Sequence, residues 1–234
     1  MPAERILLDS GTPATVVSGG AAEGVGGGGA PRRGVVVLPD VFGLSPVFVG
    51  IAERLAADLS ATVGVLEPFP GLEDMAFPDK VTIGIRELGE ERILSDALLL
   101  ADLLDVEPVA LLGVCIGGMF ALRSSAGGRF DRVVSLYGMV HVPDRWKGGG
   151  KGDPLESVLA AASTPILAIA GTEDEFVPVA HLDELERVGV DVHRVEGASH
   201  GFAHDPSRPN HDADAAKRVW ETIDGFLAVD APTP

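Results

Sequence analysis

Residues 109–118 read Val-Ala-Leu-Leu-Gly-Val-Cys-Ile-Gly-Gly: an apolar run reaches Gly113, a cysteine follows two residues later, and two glycines come directly after Ile116. Val109 to Leu112 suits a strand buried on both faces, and the segment from Ile116 to about Ser125 suits a helix, so the glycines sit at a strand-to-helix turn. A side chain held at the tip of such a turn takes strained backbone angles. The residues two before and two after it must then be small, because strand and helix approach closely there; Gly113 and Gly117 flank Cys115 in this way. The cysteine would lie at a helix N-terminus, where the dipole and unpaired N–H groups favour a thiolate and, during reaction, an oxyanion. The competing reading is a lone cysteine serving as a small core hydrophobe.

Outward from this turn, short apolar runs alternate with segments of helical period. Gly34 to Pro39 reads as a strand, Ser45-Pro46 opens a helix through Leu59 (apolar at Val49, Ala52, Leu55, Ala56 and Leu59), and Ala61 to Leu66 is the next strand. A loop rich in Pro, Gly and Glu covers 67–80. A helix follows from about Glu90 to Leu104, with Ile93, Leu94, Ala97, Leu100, Ala101 and Leu104 along one side. Downstream, strands are expected at Arg132–Leu136, Pro165–Ala170 and Asp191–Val195, with helices near 155–162, 179–188 and 211–227, the last capped by Asn210. Such alternation predicts an α/β fold, a mostly parallel central sheet with helices on both faces. The first 33 residues differ: Arg5–Leu8 and Ala14–Val17 suggest an antiparallel edge, followed by a flexible glycine-rich stretch at 19–30. No repeat or boundary divides the chain, so one domain is expected over 1–234.

The order of the remaining polar residues favours chemistry over packing at Cys115. Strand 165–170 is followed by Gly171-Thr172-Glu173-Asp174-Glu175-Phe176-Val177-Pro178, and strand 191–195 by Glu196-Gly197-Ala198-Ser199-His200-Gly201-Phe202. Nucleophile, acid and histidine thus occur in the order of an α/β-hydrolase, each at the carboxyl end of a strand, where sites in parallel sheets lie. As a bare reading, Asp174 is one acid among several, and five other histidines compete with His200: His141, His181, His193, His204 and His211.

With those three motifs, and with Leu38-Pro39-Asp40-Val41-Phe42-Gly43, the sequence resembles the dienelactone hydrolase family from about Gly34 to Leu227. The resemblance implies an α/β-hydrolase fold, a Cys115, Asp174, His200 triad and no cofactor. It also implies hydrolysis of enol lactones such as dienelactone, or of other activated esters, through a thioester. In the family a glutamate stands at the place of Asp40 and helps to deprotonate the thiol; the shorter Asp40 would be its counterpart, or would simply begin a turn. By the same likeness, the N–H groups of Val41 and Ile116 would form an oxyanion hole. An arginine that grips the substrate carboxylate is replaced here by His204, leaving Arg86, Arg92 or Arg208 to serve. Phe42, Tyr137 and Phe202 are the expected pocket walls, or plain core.

Elementary chemistry limits the substrate independently. A tetrahedral adduct of a thiolate expels whichever group leaves more easily, and the thiol's ordinary pKa of about 8.5 makes an alkoxide the poorer leaving group. Enolates and phenolates are therefore favoured. Acids outnumber bases 35 to 18, a formal charge of −17 that disfavours nucleic acid and anionic membranes as partners. No apolar stretch could span a bilayer, and Glu4, Arg5 and Asp9 stand where a signal peptide would need an apolar core. The single cysteine fits a reducing, cytoplasmic setting, and the chain is expected to be a monomer or homodimer. A metal site among His200, His204, Asp205, His211, Asp212 and Asp214 is not expected, because Gly201 and Pro206 break the helix it would need. A glutamine-amidotransferase-like amidase would place its histidine close after the cysteine. The glycine runs at 26–29 and 148–150 lack P-loop endings. A non-catalytic member using the fold for binding or regulation, and a broad small-molecule carboxylesterase or thioesterase, stand as alternatives.

Overall fold

The computed structural model describes residues 3–19, 33–161 and 163–228. Its element order is β1 (Ala3–Leu7), β2 (Pro13–Ser18), β3 (Gly34–Leu38), α1 (Pro46–Leu59), β4 (Thr62–Leu66), α2 (Phe77–Asp79), α3 (Ile85–Glu87), α4 (Glu90–Leu103) and β5 (Val109–Val114). Then come α5 (Ile116–Ser124), β6 (Val133–Leu136), α6 (Pro154–Ala160), β7 (Ile166–Gly171), α7 (Val179–Arg187), β8 (Asp191–Val195) and α8 (Ala213–Ala228). The eight strands form one sheet in the order β1-β2-β4-β3-β5-β6-β7-β8. β1 and β2 pair antiparallel and β2 joins β4 antiparallel, whereas every pairing from β4 to β8 is parallel.

Every residue of β3, β4, β5, β6 and β7 is buried, as strands covered on both faces must be, and the β-branched content of Val35-Val36-Val37 and Val133-Val134 suits that position. Two helix layers cover the sheet. α1 and α8 touch each other and rest on β2, β4 and β7, while α4, α5 and α6 form a second group against β3, β4, β5 and β6. The carboxyl ends of β3, β5, β7 and β8 therefore open on one rim.

The helices differ from the sequence reading in detail. In α1 the buried face is Phe48, Ile51, Ala52, Leu55 and Ala56, so Val49 and Leu59 lie at its flank, and Ser45 makes no side-chain cap. The segment read as loop up to Lys80 is helical from Phe77: α2 and α3 are joined by a π turn over Lys80–Gly84. Asn210 does not cap the last helix. Asp212 does, accepting a hydrogen bond from the Ala215 N–H at 2.9 Å, while the Asn210 amide donates to Ser199 Oγ and to the His200 carbonyl. The glycine-rich stretch expected to be flexible lies, beyond Gly19, outside the described residues. No helix among the described residues is long and apolar enough to cross a membrane.

Candidate active site

Cys115 sits between the last residue of β5 and the first of α5 with φ 56° and ψ −117°, a left-handed conformation that L residues adopt only when their surroundings enforce it. Two backbone bonds enforce it here: Cys115 N–H donates to the Leu136 carbonyl at 3.0 Å, and Met119 N–H donates to the Cys115 carbonyl at 3.1 Å. The flanking glycines are steric necessities. A Cβ on Gly113 would lie 2.1 Å from the Gly117 carbonyl oxygen, and one on Gly117 would lie 2.0 Å from that of Leu38. The tight turn predicted from Gly-Val-Cys-Ile-Gly is thus present, and Ile116 opens α5, where a first-turn N–H has no partner within the helix.

Asp174 follows β7 and is almost fully buried; its Oδ1 accepts the N–H groups of Phe176 at 2.8 Å and Val177 at 3.1 Å, which fixes the carboxylate in the loop. His200 follows β8 and places Nδ1 2.9 Å from Asp174 Oδ2 and 3.1 Å from Oδ1. With Nδ1 so occupied, Nε2 is the ring nitrogen left to serve Cys115, which lines one cavity with His200 and acts electrostatically on it. Burial disfavours the imidazolium. The electrostatic pull of Cys115, the hydrogen bond to Asp174 and the charge of Asp174 outweigh it, and the His200 pKa is raised to about 10. The rings of Tyr137 and Phe176 pack on the imidazole at 5.2 and 4.8 Å between centroids.

Asp40, just beyond β3, is 1% exposed and accepts three hydrogen bonds. Oδ1 accepts the Phe42 N–H at 2.9 Å; Oδ2 lies 3.0 Å from His204 Nε2 and 2.6 Å from Arg208 Nη2. A carboxylate can only accept, so His204 Nε2 carries the proton and its Nδ1 accepts from the Tyr137 hydroxyl. Burial in turn lowers the His204 pKa, against the pull of Asp40, and pushes that of Tyr137 well up. Asp40 is therefore tied to Arg208 and His204 rather than being held free beside the thiol.

A cavity of about 720 Å³ opens beside Cys115 and His200. Asp40, Val41, Phe42 and His204 line it, whereas Tyr137 and Phe202, each 1% exposed and expected as pocket walls, stand behind its wall, where Tyr137 contacts Phe202 and His204. Of the three candidate arginines, only Arg208 reaches the cavity; Arg92 is bound to Asp96 and the Pro68 carbonyl, and Arg86 lies on the surface beside Glu87. Sequence reasoning missed part of the wall, namely Phe77, Val81, Ile85, Trp146 and Phe176. The four-residue spacing of Phe77, Val81 and Ile85 is the helical signal that could have found three of them.

A family model described as "Dienelactone hydrolase family" matches residues 76–229. The chain belongs to the dienelactone hydrolase family. Among relatives of this dienelactone hydrolase family member, carboxymethylenebutenolidase 2 of Cupriavidus pinatubonensis is 26% identical over 187 residues, 75% of this chain and 76% of that protein. The carboxymethylenebutenolidase of Rhodococcus opacus is 25% identical over 218 residues, 83% of this chain and 82% of that one. A crystal structure from Klebsiella pneumoniae subsp. pneumoniae MGH 78578, provisionally assigned as a dienelactone hydrolase, superposes with a TM-score of 0.83 at 17% identity, covering 98% of this chain and 99% of that one. The sheet order and these likenesses make the fold that of the α/β-hydrolases.

Proposed function

We propose that the protein is a single-domain, cofactor-independent hydrolase of activated carboxylic esters and enol lactones, dienelactone-like lactones among them, in which Cys115 is the nucleophile, His200 the acid and base, and Asp174 the residue that orients His200. The observation that carries this reading is that the tight turn holds Cys115 in the same cavity wall as His200, whose Nδ1 is fixed by Asp174. A His200 imidazolium, its pKa raised to about 10, supplies the positive partner that a thiolate nucleophile needs, with no separate base.

The sulfur attacks the carbonyl carbon, and the developing oxyanion is taken by the N–H groups of Ile116 and Val41. Collapse of the adduct breaks the bond to the enolate or phenolate oxygen, which receives the Nε2 proton of His200. Neutral His200 next removes a proton from water, the resulting hydroxide attacks the thioester, and the carboxylic acid departs as the Cys115–His200 pair re-forms. A thiol proton on Asp40 would cancel the charge that holds Arg208 and His204, so its first part is to hold that wall of the pocket. The size of the cavity supports a broader range of small esters beside lactones.

The test is hydrolysis of dienelactone and of a 4-nitrophenyl ester at pH 7 by the wild type and by Cys115→Ala, with folding checked by circular dichroism. Turnover by the wild type and a loss of at least about 10²-fold in the variant is expected, the lower bound of what a positioned proton-transfer pair supplies. Turnover of either ester by the variant at the wild-type rate overturns the reading.

A further inference from the structure

The cavity beside Cys115 carries a charge imbalance that the proposed reaction does not use. Three carboxylates line it, Asp40, Glu175 and Asp205, against one guanidinium, Arg208. His200 and Cys115 form a pair without net charge, and His204 is neutral, donating from Nε2 to Asp40 and accepting at Nδ1 from Tyr137. Arg208 is already spent on acids: its Nη2 is 2.6 Å from Asp40 Oδ2 and its Nε is 3.6 Å from Asp205 Oδ2, with the guanidinium 5.3 Å from the Phe42 ring centroid. Arg145 is exposed and stacks over the rings of Trp146 and Phe176, but is not itself among the residues that line the cavity.

A ligand carboxylate that bonded a remaining N–H of Arg208 would meet a guanidinium whose charge is already offset by Asp40 and Asp205. Otherwise it would enter a space bordered by Glu175 and Asp205, inside a chain of formal charge −17. The rest of the wall suits a different ligand. Phe42 and Phe77 stack at 5.1 Å near the mouth, where they are 48% and 52% exposed, and Trp146 and Phe176 stack at 6.0 Å on the cavity's wall. A volume near 720 Å³ lies within the roughly 300–1,000 Å³ that holds drug-sized ligands.

On the hydrolase reading above, we infer that this site prefers uncharged esters or lactones bearing an aromatic or branched apolar group over substrates that carry a carboxylate, so that dienelactone, itself a carboxylate, is turned over but ranks below neutral lactones. The discriminating residues are Glu175 and Asp205, together with Asp40, whose charge offsets that of Arg208.

The experiment compares 4-nitrophenyl phenylacetate with its 4-carboxylate analogue, each kcat/KM divided by the ester's own hydroxide rate. The neutral ester should be favoured by at least about tenfold, and 4-nitrophenyl acetate should fall below it. In the Glu175→Gln/Asp205→Asn variant the gap should narrow several-fold. An equal or better rate with the carboxylate ester overturns the inference, whatever nucleophile is used. Turnover that survives in Cys115→Ala would instead overturn the cysteine mechanism and leave the ratio to be judged separately. Should neither ester turn over, the chain's single cysteine supplies a second readout, alkylation by iodoacetate against iodoacetamide, reagents that differ in charge. The iodoacetate-to-iodoacetamide rate ratio should rise several-fold in the double variant, and an unchanged ratio sinks the inference.

Discussion

His200 carries opposing demands within one ring. It is largely buried, which favours the neutral form, yet it lies between two groups that stabilise the cation, and its pKa rises from 6.5 to about 10 because those groups outweigh burial. A raised folded-state value means that protonation favours the fold: the contribution is complete below pH 6.5 and fades as pH climbs through about 10. Two of the raising influences come from Cys115. Followed by NMR, with its resonance identified by its loss in His200→Gln, the His200 imidazole should titrate near pH 10 in the wild type and well below that in Cys115→Ala. A midpoint that the cysteine substitution leaves in place would show that sulfur and imidazole are not paired. The positions of these residues were legible in the sequence because the tight turn demands Gly113 and Gly117 and because strand ends fix where the acid and the histidine loops fall. The Asp40–Arg208 pairing was not, since the two residues lie 168 positions apart and only folding brings them together.

At the scale of elements, the strands were read nearly to the residue, because a strand buried on both faces is a continuous apolar run with little ambiguity, as in Val35-Val36-Val37. Helices were harder where polar residues turn inward. Glu90 and Asp96 of α4 have charges that suggest a solvated face, yet both are buried: Asp96 accepts from Thr12 at 2.6 Å and Arg92 at 2.9 Å, and Glu90 pairs with Arg123 of α5 at 2.6 Å while accepting the Gly152 N–H at 3.1 Å. Arg123 thus clamps α4 to α5, the helix that carries Cys115 at its start. Its partner Glu90 raises the Arg123 pKa against the cost of burial, consistent with a permanent ion pair. In Arg123→Ala the Glu90 carboxylate would stay buried without its cation, which typically costs roughly 3–5 kcal/mol; the 19% exposure of Arg123 places the expectation at the lower end. Urea unfolding should show a lowered midpoint with an unchanged m-value. A loss below about 1 kcal/mol would class the pair with surface salt bridges instead.

For the whole molecule the dominant electrostatic fact is the excess of 35 acids over 18 bases. Several bases are committed to acids: Arg33 to Asp131, Arg54 to Asp224, Arg194 to Asp183 and Arg208 to Asp40, so much of the remaining acid surface is uncompensated. Two effects of salt then compete. Screening weakens the attractive pairs, but those on the surface are worth only about 0–1 kcal/mol each, and the buried ones are screened little. It also relieves the self-repulsion of a net charge of −17, which opposes the compact form over distances comparable to the Debye length of about 30 Å at 0.01 M salt. The second effect acts on every acid at once and should win. Raising sodium chloride from about 0.01 to 0.15 M is therefore expected to stabilise the fold by about 1 kcal/mol, seen as a rise in Tm of roughly 2–4 °C for a chain of this length. The same change should narrow the preference for neutral over carboxylate-bearing esters, because repulsion of an approaching anion is screened by the same ions. A Tm that falls with salt would mean that attractive pairs, not the net charge, govern the stability of this protein.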